Sequence, residues 1–495
     1  MITKKPTYPD DRRIDLTAYM GPRRAGKRLF GGQYAANPRD PKKRYPSFIT
    51  EEVFELYKAS GLNVLMPEGD AYYGQDYVDE GYVENTDFPS SDLYKYMQLA
   101  EKTGLEVYPA IEKVFSEMTH KDGPFGGPEK RMIRDFVETV QTYFPNCFKG
   151  IMLTDEPSIQ PLGRVRKIME YLRSDEIKAI KPDLKIFSSM LPMHARIGSL
   201  DEEYNLPEEN GKCKFDEERV KAYENYLTKY AEAIGEFGYD CYPFGRDGWL
   251  SPVFYQNLEL AAEHGKREHY AISITLQSFR MDTNYNVKTG RGRVIYRQPS
   301  YEDVRYQVYS SLAFGVEKIG YFTFWQHYSE STREVFLKAM VNYDASEEKG
   351  YRKTEIYDVV KEVNEEILSI DHIFMRYKWK GCKVIRTSRE RNIRNVKGGY
   401  EGGCLKDMKA SRDLLVGCME NPEDNAEGYW IINAQNPYFY EMNEAELQFE
   451  GATHVAYYRK GCEYVVPLQD GKFAIRLGVG EGIFAIPYCE KQKGE

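Results

Sequence analysis

The tetrapeptide Thr154-Asp155-Glu156-Pro157 follows Phe148-Lys149-Gly150-Ile151-Met152-Leu153, a run that reads as a strand leaving a protein core. Two adjacent carboxyl groups at such a strand end are costly to bury unless they are used. A carboxyl in partly apolar surroundings beside a second anion keeps its proton near neutrality and can deliver it to a leaving group. Glu156 is therefore read as a general acid/base and Asp155 as its partner. The competing structural use is a helix start, with Asp155 as N-cap and Glu156 against the helix dipole.

Such groups need a scaffold that brings several strand ends together. Between residues 28 and 370 the sequence alternates short β-rich runs with longer amphipathic stretches, as βα units do. Strands are predicted over 28–35, 63–67, 106–111, 150–154, 185–191, 239–243, 271–276 and 318–324. Eight such runs predict a (β/α)8 TIM barrel over residues 1–370. The helices carry their own punctuation, Thr50 before one with Gly61 after it, and Gly104 after another. A doubly wound sheet also alternates, but no Gly-x-Gly-x-x-Gly turn follows the first predicted strand. After about Ile370 the runs shorten and are broken by Gly, Asn and Asp, which predicts a small antiparallel β-sandwich over 371–495 with a stabilising role.

In a barrel the C-terminal strand ends converge on one site. The residues expected there are Asn37 after the first strand, Glu68 and Asp70 after the second, Glu112 after the third, and Asp155 with Glu156 after the fourth. His194 follows the fifth, Asp240 and Tyr242 lie on the sixth, Gln277 follows the seventh, and Trp325 with Gln326 end the eighth. Strand alternation sends Asp240 and Tyr242 to one face. Each has an ordinary alternative: core packing for Tyr242 and Trp325, loop contacts for Gln277 and Gln326, and a local hydrogen bond for His194. The segments 123–128 and 280–298 are read as loops over the site's mouth.

Composition narrows the ligand. The 495 residues include 41 Tyr and 24 Phe, rings that suit polar ligands with an apolar face, although rim packing accounts for many of them. A net charge of −9 without a long basic block argues against nucleic acid. The eight Cys are scattered with no Cys-x-x-Cys pair, so reduced buried thiols are expected rather than a disulfide framework. No metal-ligand spacing and no phosphate-cradling Gly loop is present, so no cofactor and no metal are expected. No stretch is long and apolar enough to span a bilayer, and no apolar segment follows the N-terminus. A cytoplasmic protein is expected, with a secreted or periplasmic one as the alternative if a leader was removed.

Leu153-Thr154-Asp155-Glu156-Pro157 resembles the Asn-Glu-Pro strand-four signature of clan-A glycoside hydrolases, in which the Glu is the acid/base. Tyr321-Phe322-Thr323-Phe324-Trp325 similarly resembles their Trp-bearing eighth strand, which forms a sugar platform. The resemblance implies a barrel enzyme that cleaves a neutral oligosaccharide or glycan, with Trp325 under the sugar. The chain departs from that clan at strand seven, where retaining members place a nucleophilic Glu and this sequence has Gln277. Three routes stay open. The 2-acetamido group of the substrate attacks in place of an enzyme carboxylate, as in families 20 and 123, whose Asp-Glu pair Asp155-Glu156 resembles; Tyr242 would then bond the acetamide oxygen. Alternatively the enzyme inverts, with Asp240 or Glu68 activating water opposite Glu156. In the third, the barrel binds sugar without cleaving it.

Overall fold

The computed structural model describes residues 2–23, 47–67, 71–78, 81–111, 125–201, 217–286, 289, 291–329, 334–344 and 346–490. Eight parallel strands form a closed barrel: Asp15–Ala18, Val64–Leu65, Glu106–Val107, Gly150–Asp155, Lys185–Ser189, Phe237–Asp240, Ile272–Gln277 and Lys318–Phe322. The first strand pairs with both the second and the eighth. Single bridges, Val107 to Phe148 and Met190 to Tyr239, join the third strand to the fourth and the fifth to the sixth. Strand four is buried along almost its whole length, which is why its sequence is a continuous apolar run rather than an alternating one.

The first strand is the one the sequence placed wrongly. It is Asp15–Ala18, while the predicted run 28–35 lies outside the described residues. In retrospect Ile14, Leu16 and Ala18 alternate and are fully buried, but four residues opening on an Asp give a weak signal beside the richer run downstream. The segment 280–298 is also not a plain loop. It forms two antiparallel strands, Arg280–Asn286 and Arg291–Tyr296, and the first of these pairs with Glu334–Leu337 from the region after strand eight.

Helix Asp92–Thr103 shows how the connections are set. Ser91 caps it by accepting from the Tyr94 N–H at 3.0 Å, and Gly104 closes it in the left-handed region at φ 70°. Two residues later strand three begins.

Beyond the barrel, two antiparallel sheets share one apolar cluster. Six strands, Lys378–Ile385, Leu414–Glu420, Glu427–Asn433, Gly482–Tyr488, His454–Arg459 and Cys462–Pro467, make the larger sheet. Leu405–Ala410, Asn443–Phe449 and Lys472–Leu477 make the smaller. Leu405, Leu414, Ile431, Leu447, Phe473 and Ile483 pack between them. The larger sheet also lies against helix Tyr301–Ala313, whose residues from Asp303 to Ala313 are all buried. Trp430 meets Tyr309 of that helix at 5.7 Å, and the barrel's core cluster continues into the sheet through Trp430, Ile432 and Phe484. Among the described residues no helix is long and apolar enough to cross a membrane.

Candidate active site

Strand four ends with two departures from regular geometry. Between Met152 and Thr154 its register against strand five slips, so Leu153 is an extra residue. Glu156 then takes a positive φ of 44°, a region that a Glu seldom adopts. Neighbours on a regular strand point to opposite faces. The left-handed turn cancels that alternation, and both Asp155 and Glu156 line one cavity of about 220 Å3 at the C-terminal end of the barrel. The strained residue is held from both sides. Its N–H donates to the Ser189 carbonyl at 2.8 Å, and the Tyr226 hydroxyl donates to the carbonyl of Pro157 at 2.7 Å.

Asp240, which ends strand six, and Tyr242, which lies two residues beyond the strand rather than on it, line the same cavity. Burial first, then Asp240 beside it and Asp155, drive the pKa of Glu156 far above the usual carboxylate range. Glu156 is reached by solvent from the cavity side, yet protein atoms crowd it elsewhere. Asp155 is also raised, first by burial and then by Asp240, with the Tyr19 hydroxyl as an opposing hydrogen-bond donor. Among the described residues no Lys or Arg forms an ion pair with any of the three acids. Burial and the neighbouring carboxylates thus favour the protonated form of Glu156 and Asp155 over the ionised one.

His194 is half-buried beside this group. Burial lowers its pKa, Asp240 opposes that and Arg219 reinforces the lowering. Arg219 also fixes the His194 backbone by donating to the carbonyls of Met193 and Ala195 at 3.2 and 2.6 Å.

Two expected ligands of the site are used otherwise. Gln277 is fully buried and its amide is spent on the backbone. Its Oε1 accepts from the Phe244 N–H at 3.0 Å, and its Nε2 donates to the Arg297 carbonyl at 2.8 Å and to those of Phe244 and Phe279 at 3.3 Å. It ties the chain after strand six to the chain after strand seven and leaves no atom for a ligand. Trp325 is fully buried too, stacked on Tyr343 at 4.9 Å and packed against Phe48. Strand eight ends at Phe322, and Trp325 bridges to Val341 beyond it, which turns the indole into the core. Gln326 is half-buried, bonds the Val341 carbonyl through its N–H, and does not line the cavity. Asn37, Glu68, Asp70 and Glu112 lie outside the described residues.

The aromatic wall comes from residues the sequence did not single out: Tyr19, Phe322 and Phe336, with Thr275 supplied by strand seven. Phe279 and Tyr296 stand behind Tyr242, at 4.9 and 5.9 Å between ring centres. Tyr19 follows the first strand directly and would have been found with it. Phe336 carries no such signal, because it enters through the sheet built after strand eight. A second cavity, of about 260 Å3, opens beside the hairpin Gln75–Val78 and Gly81–Glu84. It is larger, but Tyr73, Phe88, Ile111 and Met132 dominate it and Glu84 is its single acid, so it offers no proton chemistry.

No protein-family model matches this sequence, and no curated protein matches it. Among solved structures the chain is similar to a glycoside hydrolase over 97% of its own length and 94% of that chain, with a TM-score of 0.51 and 12% identity. It is likewise similar to an alpha-amylase from Anoxybacillus over 99% and 100% of the two chains, with a TM-score of 0.50 and 11% identity. The fold is thus the (β/α)8 barrel that these glycoside hydrolases share.

Proposed function

We propose that this protein is a glycoside hydrolase acting on a neutral glycan, with Glu156 as general acid/base. The observation that carries the reading is the gathering of Glu156, Asp155 and Asp240 in one cavity at the open end of a parallel barrel, where burial and the neighbouring carboxylates raise the pKa of Glu156. A protonated carboxyl facing a cavity can protonate a glycosidic oxygen as the bond to the anomeric carbon breaks; the resulting carboxylate then takes a proton from the incoming water. The second carboxyl group is Asp240. Inverting enzymes keep the two carboxyls about 6.5–9.5 Å apart so that water fits between them. Asp240 is an immediate neighbour of Glu156, which does not suit that gap, and a retaining route is the one proposed.

Within that route the cavity supports assistance by a 2-acetamido substituent. Asp155, Tyr19 and Tyr242 all line the cavity, where they could meet such a group, and Gln277 is not available as a nucleophile. The chain is read as a catalytic barrel to about residue 370 followed by a small β-sandwich that shields one side of it.

Turnover on a panel of aryl glycosides, including N-acetylhexosaminides, tests this. Glu156→Gln should abolish hydrolysis that the wild type shows; a variant as active as wild type would overturn the assignment. If a thiazoline mimic of the oxazoline intermediate fails to inhibit while plain hexosides are cleaved, Asp240 is the nucleophile and the acetamido route is discarded.

A further inference from the structure

Large apolar side chains left in water normally have a use when they are contiguous. Trp249, Tyr438, Phe439 and Tyr440 are 52%, 46%, 54% and 65% exposed, and they come from the two ends of the chain's architecture. Trp249 lies in the loop that leaves strand six, the strand of Asp240. The three others belong to a turn between strands of the C-terminal sheets, Pro437–Phe439 and the residue after it.

The two segments are fitted to one another. A Cβ on Gly245 would stand 2.4 Å from the Trp249 ring, and one on Gly248 would stand 2.5 Å from the Tyr438 ring. Only glycine at these positions lets both rings lie down on the loop, and Gly248 also needs its positive φ of 77°. Asn436 clamps the pair, donating to the Gly248 carbonyl at 2.9 Å while accepting from the Tyr438 N–H at 3.1 Å. Phe439 stands edge-on to Tyr438 at 5.6 Å. The rings are thus held on a braced support rather than on a loose tip.

This surface lies on the loop after strand six, at the same end of the barrel as the catalytic cavity, and its support is tied to the cavity wall. Gly245, beneath Trp249, is bridged to Tyr296, whose ring packs on Tyr242 of the cavity wall at 5.9 Å. The next residue, Arg297, lies over the Tyr438 ring at 5.5 Å. The surface is also neutral: Arg246 is paired with Asp247 at 2.8 Å, and Arg297 with Asp303. Compensated charges beside exposed rings do not suit an acidic partner or an anionic membrane. They suit a neutral polyol whose CH faces stack on rings and whose hydroxyls meet the polar rim.

We infer that Trp249, Tyr438 and Tyr440 form a glycan platform that holds the continuation of a chain whose end occupies the catalytic cavity. The inference rests on the reading of that cavity as glycan-acting. A cavity of about 220 Å3 confines a short segment, so a longer chain must leave it across the rim. The protein's polymeric substrate would then be recognised by both parts of the molecule together.

Affinity electrophoresis of the full chain tests this in gels containing soluble starch, xylan, galactomannan or mixed-linkage glucan. At least one polysaccharide should retard the wild type, and Trp249→Ala and Tyr440→Ala should each weaken that retardation about three- to tenfold, the range expected for loss of one ring stack. Hydrolysis of a small aryl glycoside should be unchanged in both variants, while KM for the retarding polysaccharide rises. If no polysaccharide retards the wild type, or the variants are retarded as strongly as it is, the inference falls. It falls also if the substitutions change only the oligomeric state in sedimentation, since the rings then pack against a second copy. Retardation by a polysaccharide that depends on Trp249, in a protein that hydrolyses no glycoside, would leave the platform standing and remove the catalytic reading instead.

Discussion

Two groups of acids in this molecule, one buried and one lining a cavity, have opposite fates. At the junction of barrel and sheets, Glu481 is 1% exposed and fully answered. Arg459 reaches it at 2.6 Å, the Gly478 N–H at 2.7 Å and Arg305 at 3.1 Å. Burial alone would raise its pKa, but these partners outweigh burial and hold it below the usual carboxylate range. In the cavity, Asp155, Glu156 and Asp240 have, among the described residues, one another and a His194 whose pKa is lowered by burial. The first group is an ion-pair network that fastens two elements together. The second keeps a proton at neutral pH, a state that costs stability and is useful to chemistry.

The contrast breaks most sharply at Glu156. Glu156→Gln should lower aryl-glycoside turnover by about 10²–10⁴-fold, the usual contribution of a positioned acid/base, yet raise the melting temperature at pH 8 by on the order of 1–2 °C. Calorimetry alongside the assay checks both. A variant that loses activity and melts earlier would show that Glu156 holds the fold together.

Glu481→Gln should do the reverse. Leaving Arg305 and Arg459 without their buried partner should cost about 3 kcal/mol in urea unfolding, with aryl-glycoside kcat within about twofold of wild type.

The pH dependence follows the same division. Because folding raises the pKa of Glu156, the native state keeps a proton that the unfolded chain releases. Stability therefore declines as pH climbs from the ordinary carboxylate range, and nothing is lost below it. Glu481 has its pKa lowered by folding, so its contribution is present above the ordinary carboxylate value and disappears as pH falls through the folded one. Melting curves of the two Gln variants against wild type should cross: the Glu156→Gln advantage widens with rising pH, and the Glu481→Gln deficit shrinks in acid. Parallel curves would erase the distinction. Turnover should also fall on the alkaline side as Glu156 gives up its proton.

The smallest expected effect is at Tyr19→Phe. It removes the hydroxyl that opposes the upward shift of Asp155, and kcat/KM should drop by about three- to tenfold, the cost of roughly one hydrogen bond. If plain hexosides and N-acetylhexosaminides suffer equally, Asp155 has no special part in handling an acetamide.

How far the sequence led can be argued strand by strand. Strand four was legible because an apolar run that ends abruptly in two acids fits a buried strand emerging at a site and little else. Strand six was legible only in part: it was expected over 239–243 from the period-two spacing of Asp240 and Tyr242, but it ends at Asp240, and Tyr242 reaches the cavity from the segment after it. Strand one was not, since four residues lose to a longer apolar run in a count of periodicity, and Tyr19 was missed with it. That Asp155 and Glu156 share a cavity depends on one left-handed residue, a property that sequence spacing does not encode. Gln277 and Trp325 were placed at the right strand ends, but where those side chains point is decided by partners far along the chain, Arg297 for one and Tyr343 for the other.

Helix Tyr301–Ala313 has no wet face for most of its length, with the barrel on one side and the larger sheet on the other. A segment buried all round has no stable existence as the surface of a shorter protein. Cutting the chain after residue 370 would bare Tyr309 and take Glu481 from Arg305, leaving it only Glu366, so the excised barrel is expected to be less stable than the whole chain. The two parts are expected to melt in a single step, and a lesion in the distal sheets would be felt as lost activity through loss of the whole fold.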